Sequence, residues 1–217
     1  MNIININDMM YPKKLLNINN PPSQLYVLGN MSNLNNFGLS IIGCREYSEY
    51  GKKIATNLSF GLAKRKINII SGMAKGIDSF AHVGCMTAGG KTIAVLGSGF
   101  NYIYPKENLE IFKEIIKTGG TIVTEFEPDT KPIGSNFPLR NRIISGLSEG
   151  VIVIEARKQS GTLITVDYAL DQGKEIFAVP GNINNSSSYG TNQMIKEGAK
   201  IVTCLEDILE EYPHIFR

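Results

Sequence analysis

Short apolar runs alternate with longer amphipathic stretches along most of this chain. The runs are rich in Ile and Val and are apolar at consecutive positions, as expected of strands that are covered on both faces. We predict strands over residues 25–28, 40–42, 67–70, 92–96, 121–124, 151–154, 176–179 and 201–202. The stretches between them repeat apolar residues at helical spacing. We predict helices over residues 50–66, 77–87, 108–117, 163–172, 191–197 and 205–211, and a short helix that contains residues 136–145.

This alternation of strands and helices predicts an α/β fold with a doubly wound, mostly parallel sheet flanked by helices. Residues 1–24 are rich in Asn and hold three prolines, so we expect an irregular lead-in there. We expect the run at 25–28 to form a short edge strand. The chain is therefore divided into a lead-in over residues 1–35, packed on the core, and one domain over residues 36–217.

A polar stretch with two arginines lies just before the predicted strand at 151–154. Arg140 and Arg142 flank Asn141, and Asn136 and Phe137 precede them. Arginine and asparagine are costly to bury without partners. Two interpretations stay open. The arginines either hold carbonyls or a carboxylate in a structural network, or they form a surface that receives an anion such as a phosphodiester, with Phe137 as a stacking platform.

The segments that follow the predicted strands are rich in glycine, which lets a phosphate approach the backbone closely. In a doubly wound sheet, ligands bind beyond the carboxyl ends of the strands, where these segments meet. Glycine turns are also ordinary in this architecture, so alone they indicate little. The segments are Gly43-Cys44-Arg45, Ser71-Gly72, Gly97-Ser98-Gly99, Glu125, Glu155 with Arg157, and Pro180-Gly181.

Other loops at the predicted ligand edge are rich in hydrogen-bond donors. Ser160-Gly161-Thr162 and Gly190-Thr191-Asn192 each precede a helix, so their hydroxyls either cap that helix or contact a ligand. Lys75 and Lys131 also lie in loops at this edge, although a single loop lysine is more often only solvated. Each of these loops is a candidate part of one site.

Charge and composition restrict the kinds of site that the chain can form. The net charge is +2, so any contact with nucleic acid has to come from a local patch. The three cysteines are widely spaced and fit neither a disulfide framework nor a zinc pair. No segment approaches the ~20 apolar residues that span a bilayer, and the N-terminus lacks a secretory pattern. We expect a cytoplasmic protein without membrane contact, metal or cofactor.

Well-known nucleotide and hydrolase motifs are incomplete in this sequence. Gly97-Ser98-Gly99 would need a third glycine at position 102 for a dinucleotide fingerprint, and Tyr102 stands there. The segment 84–92 is too long for a P-loop and runs into a strand instead of leaving one. His82 and Asp78 share a predicted helix, and we interpret His82 as a packed structural residue. The missing third glycine disfavours a NAD-dependent oxidoreductase. A nucleophile triad is disfavoured because we assign His82 to packing and not to catalysis.

Several of these segments together resemble the DNA-processing protein A (DprA/Smf) family. The resemblance extends over nearly everything from about residue 11 onward, and the motifs stand in the family's order. They are Gly43-Cys44-Arg45, the segments at 71–78, 136–148 and 160–165, Phe177-Ala178-Val179-Pro180-Gly181, and Gly190-Thr191-Asn192.

The resemblance implies an extended Rossmann-like fold and binding of single-stranded DNA without strong sequence preference. It implies a cytoplasmic homodimer that protects incoming strands and helps to load the recombinase RecA during natural transformation, without catalysis. Arg45 would hold a phosphate, Ser71 and Gly72 would offer backbone donors, and Phe137 would lie against a base, while Arg140 and Arg142 would line or brace the pocket. Many members carry a helical domain before the core and a winged-helix-like domain after it, and we expect both to be absent here.

The main alternative is an enzyme that acts on a nucleotide, such as the related Rossmann-like nucleoside-monophosphate phosphohydrolases. Those sites use a Pro-Gly-Gly-x-Gly-Thr loop and a catalytic glutamate. Pro180-Gly181-Asn182 does not complete that loop. Glu125 and Glu155 end strands and are the candidate acids, although we expect them to pair with nearby arginines.

Overall fold

A computed structural model of the chain describes residues 1–215, so Phe216 and Arg217 at the end of the predicted domain lie outside the described part. Within those residues, nine strands form a single sheet. The strands are β1 (Asn2–Asn5), β2 (Gln24–Gly29), β3 (Gly38–Ile42), β4 (Asn68–Ser71), β5 (Thr92–Val95), β6 (Thr121–Thr124), β7 (Gly150–Val153), β8 (Glu175–Ala178) and β9 (Lys200–Ile201). The helices are α1 (Glu49–Lys64), α2 (Ile77–Thr87), α3 (Leu109–Lys117), α4 (Asn136–Leu147), α5 (Gly161–Asp171), α6 (Tyr189–Lys196) and α7 (Glu206–Leu209).

The sheet is wound in two directions from its centre. Its strands lie in the order β1-β2-β6-β5-β4-β3-β7-β8-β9. Neighbours are parallel from β6 through to β9, whereas β2 pairs antiparallel with both β1 and β6. The chain moves outward from β3 to β6 and then crosses to β7 on the other side of β3. The predicted doubly wound, mostly parallel sheet is confirmed, and its switch point lies between β3 and β7.

Side-chain alternation in the central strands builds a separate core on each face of the sheet. Val151 and Val153 pack with the helices α4 and α5, whereas Ile152 and Ile154 pack with α1 and α2. Successive side chains of a strand point to opposite faces, so a run that is apolar throughout supplies both cores. This double burial explains why the parallel strands were visible in the sequence as continuous apolar runs.

The start of the chain differs from the prediction. Residues 1–24 were expected to be irregular, but they contain β1 and a 3-10 helix at Lys13–Asn17. The run at 25–28 was expected at the edge, but β2 lies inside the sheet because β1 pairs with its outer side. Within β1 only Ile4 is buried, so this strand lacks the continuous apolar run that marked the others.

The 3-10 helix anchors this first segment to the rest of the molecule. Leu15 is fully buried and packs where α4 has Gly146, since a Cβ at that position would lie 2.7 Å from Leu15 Cδ2. The N-terminal residues therefore belong to the same core as the polar helix that carries both arginines. Within residues 1–215, no helix has the length and apolar content needed to span a membrane.

Candidate functional site

An open cavity of about 710 Å³ lies at the switch point, beyond the carboxyl ends of β3 and β7. Parallel strands on either side of a switch point send their following helices to opposite faces, which leaves a crevice between the loops. Segments distant in sequence line this crevice. The predicted site residues that line it are Gly43, Arg45, Phe137, Arg140, Asn141, Ser160, Gly161 and Thr162.

Arg45 is an exposed cation at the mouth of the cavity. Its Cζ lies 5.7 Å from the centroid of the Phe137 ring. No carboxylate among residues 1–215 forms an ion pair with it. The guanidinium thus remains available to an anion while the ring beside it keeps one direction of approach apolar.

Two aromatic rings stand together inside the cavity. Phe137 is half-buried at the start of α4, and Tyr104 lies beside it with ring centroids 5.5 Å apart and planes inclined at 45°. Phe137 can come this close to the sheet because Gly97 stands beneath it, where a Cβ would lie 2.8 Å from Phe137 Cδ1. The pair offers π-faces next to a cation, the arrangement that suits an unpaired base beside a phosphate.

Arg140 forms the floor of the cavity and is almost completely buried. Its Nη1 donates to the carbonyls of Gly72, at 2.5 Å, and Val95, and its Nε donates to Asn141 Oδ1 at 3.2 Å. Burial lowers the pKa of Arg140 to about 10. The guanidinium therefore keeps its charge at neutral pH, and its position is set by backbone carbonyls.

Asp78 lies close to Arg140 across the backbone of Gly72. Its Oδ2 accepts hydrogen bonds from the N–H groups of Gly72, at 3.1 Å, and Ala74, at 3.3 Å. Burial raises the pKa of Asp78, while the charge of Arg140 and these two N–H groups oppose the shift. Asp78 lines the cavity but was not predicted as a site residue, although it ends the segment 71–78 that carries the family resemblance.

Ser71 and Gly72 support the cavity from beneath and do not line it. The Ser71 hydroxyl donates to the carbonyl of Ile41 at 2.6 Å, and the N–H of Gly72 is taken by Asp78. A Cβ on Gly72 would lie 2.9 Å from both Arg140 Cζ and Asp78 Oδ2. The prediction that this turn offers free backbone donors is wrong for Gly72, whose N–H already has a partner.

Arg142 lies away from the cavity lining in a bidentate ion pair. Its Nη1 and Nη2 donate to the two carboxylate oxygens of Glu125 at 2.5 and 2.7 Å, and its Nε donates to the carbonyl of Asn20 at 2.9 Å. The expectation that Glu125 pairs with an arginine is confirmed. Of the two alternatives given above for the polar stretch, Arg142 belongs to the structural network.

Glu155 has different partners from those expected. Its carboxylate accepts hydrogen bonds from the backbone N–H and the hydroxyl of Ser48, at 3.0 and 2.5 Å, and from the Ser187 hydroxyl at 2.7 Å. The expected arginine partner is therefore wrong. Ser48 is the N-cap of α1, so this buried carboxylate stands at the positive end of that helix and joins it to β7.

The loop Ser160-Gly161-Thr162 has both of the roles that the sequence left open. Ser160 caps α5, since its Oγ accepts a hydrogen bond from the N–H of Thr162 at 3.2 Å. All three residues also line the cavity. The first turn of α5 therefore faces the open space from the side opposite α2.

The remaining predicted residues lie outside the cavity lining. Lys75 forms an exposed ion pair with Glu107 at 2.6 Å, and Lys131 is exposed on the loop before α4. Asn136 is buried at the start of that helix. The segment Gly190-Thr191-Asn192 is structural in its contacts: the N–H of Gly190 donates to the carbonyl of Ala156, and Asn192 exchanges two hydrogen bonds with the backbone of Gly181.

Several lining residues besides Asp78 were not predicted as site residues, among them Tyr104 and Arg157. Arg157 is half-exposed and forms an ion pair with the exposed Glu46 at 2.7 Å. It follows β7 just as Arg45 follows β3, and this parallel placement was the signal that could have found it. Tyr104 follows β5 by a longer loop, and only the fold brings it to Phe137.

Comparison with known proteins places these features in a family. A model of the family described as "DNA recombination-mediator protein A" matches residues 2–213. Protein Smf of Escherichia coli is 44% identical over 200 residues, which are 92% of this chain and 54% of the relative, so the chain spans about half of that protein's length. The DNA processing protein A structure from Streptococcus pneumoniae has a TM-score of 0.92 and 40% identity, with 97% of this chain and 74% of that chain covered.

A second solved structure is informative about ligands. DNA processing protein A from Helicobacter pylori has a TM-score of 0.87 and 29% identity, and the match covers 97% of this chain and 95% of that chain. That structure was used to explain how the Helicobacter pylori protein binds single-stranded DNA.

Proposed function

Because this chain belongs to the DNA recombination-mediator protein A family, we propose that its switch-point cavity binds single-stranded DNA without strong sequence preference. The observation that carries this proposal is the placement of Arg45, an exposed cation outside any described ion pair, next to the ring of Phe137. A polynucleotide offers a phosphate to the first and a base to the second. The DNA-binding mode described for the Helicobacter pylori relative supports the same class of ligand.

In this proposal, phosphates bind to arginines at the rim of the cavity. Arg45 and Arg157 follow the two strands that flank the switch point, and both line the cavity. Arg140 lies deeper and adds positive potential while its N–H groups hold carbonyls. Each phosphate that a cation neutralises releases counterions, so the affinity falls as salt rises.

Base recognition falls to Phe137 and Tyr104. A π-face accepts any of the four bases, and stacking on one aromatic residue contributes about 1–3 kcal/mol per base. The cavity is also lined by the uncharged side chains of Asn141, Ser160 and Thr162. Because a ring accepts any base, stacking accounts for binding without strong sequence preference.

Fluorescence anisotropy with labelled oligothymidylate and with a duplex of equal length, each at two salt concentrations, tests this function. We expect tighter binding to the single strand, with an affinity that decreases as salt rises. Equal or tighter binding to the duplex, or no binding to either, would contradict the proposal.

We further propose that the protein works in the cytoplasm as a homodimer that protects incoming strands and assists the loading of RecA. Two cavities joined in a dimer would raise the avidity for one strand without any stronger contact in either cavity. Protection of the strand is measured by nuclease digestion of the complex. Dimerisation is measured by light scattering, and RecA loading by filament formation on coated DNA.

We propose that the site acts by binding and not by hydrolysis. The acids that a phosphohydrolase would use, Glu125 and Glu155, are held by Arg142 and by Ser48 and Ser187, and neither lines the cavity. Incubation with AMP tests this point directly. Steady release of ribose phosphate would favour the enzymatic alternative.

A further inference from the structure

A second group of aromatic and basic side chains lies outside the cavity, where the loop after β3 meets α1 and α2. We call Tyr47, Lys52 and Phe80 the Tyr47 cluster. The Tyr47 and Phe80 rings meet edge-on, with centroids 4.7 Å apart and planes at 81°. Lys52 Nζ lies 5.6 Å from the centroid of the Phe80 ring. The cluster thus joins a cation to two π-systems on the surface of the molecule.

The Tyr47 cluster continues directly from the mouth of the cavity. Tyr47 stands two residues after Arg45 in the same loop, so their Cα atoms are at most about 7 Å apart. The N–H of Ile77, at the start of α2, donates to the carbonyl of Cys44 at 3.3 Å and holds this loop against the helix that carries Phe80. The loop that carries Arg45 and Tyr47 is therefore packed against the start of α2.

Both the ring and the cation of the cluster are accessible. Tyr47 is 41% exposed, and the side chain of Lys52 is 45% exposed. Lys52 also lies 3.4 Å from Glu49, whose side chain is 83% exposed. An exposed ion pair of this kind contributes little to stability, so a phosphate can replace the carboxylate as the partner of Lys52.

We propose that the Tyr47 cluster is a second subsite for single-stranded nucleic acid, which binds the segment that leaves the cavity past Arg45. The inference rests on the proposed function, because it extends the same bound strand. A base would stack on Tyr47 while a neighbouring phosphate meets Lys52. Stacking platforms that alternate with cations are the means by which proteins follow an unpaired strand beyond one pocket.

The far end of α1 supplies a matched control. Lys64 Nζ lies 5.3 Å from the centroid of the Phe60 ring, so the same pair of groups recurs at the other end of one helix. Twelve residues separate Lys52 from Lys64, which is about 18 Å along a helix axis. Lys64→Ala and Phe60→Ala therefore remove the same chemistry without touching the proposed path.

The test compares oligothymidylates of about 4 and about 16 nucleotides, which bracket common site sizes for one single-strand module. Tyr47→Ala should weaken binding of the long oligonucleotide about fivefold or more, the equivalent of one lost stacking contact. The short oligonucleotide, held in the cavity, should bind as it does to the unaltered protein. Tyr47→Phe should restore the affinity, because the ring and not the hydroxyl is required.

Lys52→Ala should also weaken the long oligonucleotide selectively, and its salt slope should become shallower by about 0.7. Equal effects of Lys52→Ala and Lys64→Ala, or a Tyr47→Ala protein that binds the long strand normally, would overturn the second subsite. If Arg45→Ala still weakens binding of both lengths in that case, the cavity assignment stands and only the extension fails. If the unaltered protein binds neither length, the proposed function itself has failed.

Discussion

Arg45 and Arg140 are two cations of one cavity, but they differ in what holds them. Arg140 is buried with its donors on backbone carbonyls, whereas Arg45 is exposed beside an aromatic ring. A buried cation with fixed partners shapes the potential of a site, and an exposed one can close on a ligand. The binding contribution of single residues therefore has to be tested at Arg45 first.

Arg45→Ala should reduce the affinity for oligothymidylate by about 1.5–3 kcal/mol, the usual contribution of a charged hydrogen bond. The slope of log affinity against log salt should become shallower by about 0.7, since one phosphate contact is lost. Mobility-shift titrations at several salt concentrations measure both quantities. Lys117→Ala, which removes an equal charge on α3, is the control, and an Arg45→Ala protein with the same affinity as that control would remove Arg45 from the site.

Phe137→Ala should weaken binding of the same oligonucleotide by about 1–3 kcal/mol through loss of stacking. Because no charge changes, the salt slope should stay as it is in the unaltered protein. Anisotropy titrations next to thermal melts separate lost stacking from lost folding. A changed slope with intact affinity would be inconsistent with a base-stacking role for this ring.

Arg142→Ala should act on folding and not on binding. Arg142 is buried and Glu125 is partly buried, so removal of the arginine should cost up to about 3–5 kcal/mol, because Glu125 would keep an uncompensated charge. Urea titration measures the loss in the free energy of unfolding. The double variant Arg142→Leu with Glu125→Leu should recover most of it, and a folded Arg142→Ala protein that is stable but fails to bind DNA would contradict this assignment.

At the scale of elements, the position of Arg45 depends on how the start of α2 meets the loop after β3. Gly76 has φ +81°, and a Cβ there would collide with the carbonyl oxygens of Cys44 and Arg45. Glycine is thus required twice at this position, once for the backbone conformation and once for the close approach. The close approach brings the N-terminus of α2 against the loop that carries Arg45 at the mouth of the cavity.

Gly76→Ala should therefore reduce both stability and DNA affinity. Gly89→Ala is the matched control, because Gly89 has φ +75° but nothing lies within 4 Å of its added Cβ. The control should lose only about 1–2 kcal/mol from the left-handed backbone. Chemical denaturation and anisotropy on both variants give the comparison, and equal losses at the two positions would mean that the contact with the loop is unimportant.

Glu155 also positions the site through contacts between secondary-structure elements. Its carboxylate binds Ser48 at the start of α1 and Ser187 before α6, and the residue itself ends the run that forms β7. The two sides of the switch point are thereby fixed to each other just behind Arg45 and Arg157. A cavity with fixed walls can present its cations and rings without reorganisation when a strand arrives.

At the scale of the whole molecule, we expect acid stability to depend on His82, which is fully buried on α2 beside β5. Its Nδ1 lies 2.7 Å from Thr92 Oγ1, and burial, with a smaller effect of the Arg140 charge, lowers the pKa of His82 to about 3. The expectation of a packed structural histidine is confirmed. An unfolded chain binds a proton at this residue below pH ~6.5, whereas the folded protein does not.

The unfolded state therefore binds more protons than the folded state between pH ~6.5 and about 3, so stability falls as the pH drops through that interval. Each pH unit contributes at most about 1.4 kcal/mol from this one group. His82→Gln should remove the contribution and give a shallower loss between those limits in urea titrations at several pH values. Parallel curves for the two proteins would show that His82 does not control acid stability.

The first strand, β1, shows where a sequence pattern becomes too weak to predict structure. The β3 to β8 strands are buried on both faces and were predicted within a residue or two, because continuous apolar runs need no knowledge of neighbours. In contrast, β1 buries only Ile4, while Ile3 and both asparagines are exposed, and its pairing with β2 depends on chain segments that meet through the fold. An edge strand with one buried side chain leaves too weak a pattern to be recognised.

The sequence by itself determined the class of fold and most of the loops that meet at the cavity, because hydrophobic periodicity is a local property. The strand order, and with it the place of the switch point, follows from tertiary contacts. The sequence did not distinguish Arg140 from Arg142, which stand two positions apart on one helix and so point in different directions. Arg140 meets the carbonyl of Gly72, 68 residues away, and Arg142 meets Glu125 and Asn20. Only the tertiary structure decided which cation lines the cavity, since burial and charge pairing depend on contacts that sequence spacing does not encode.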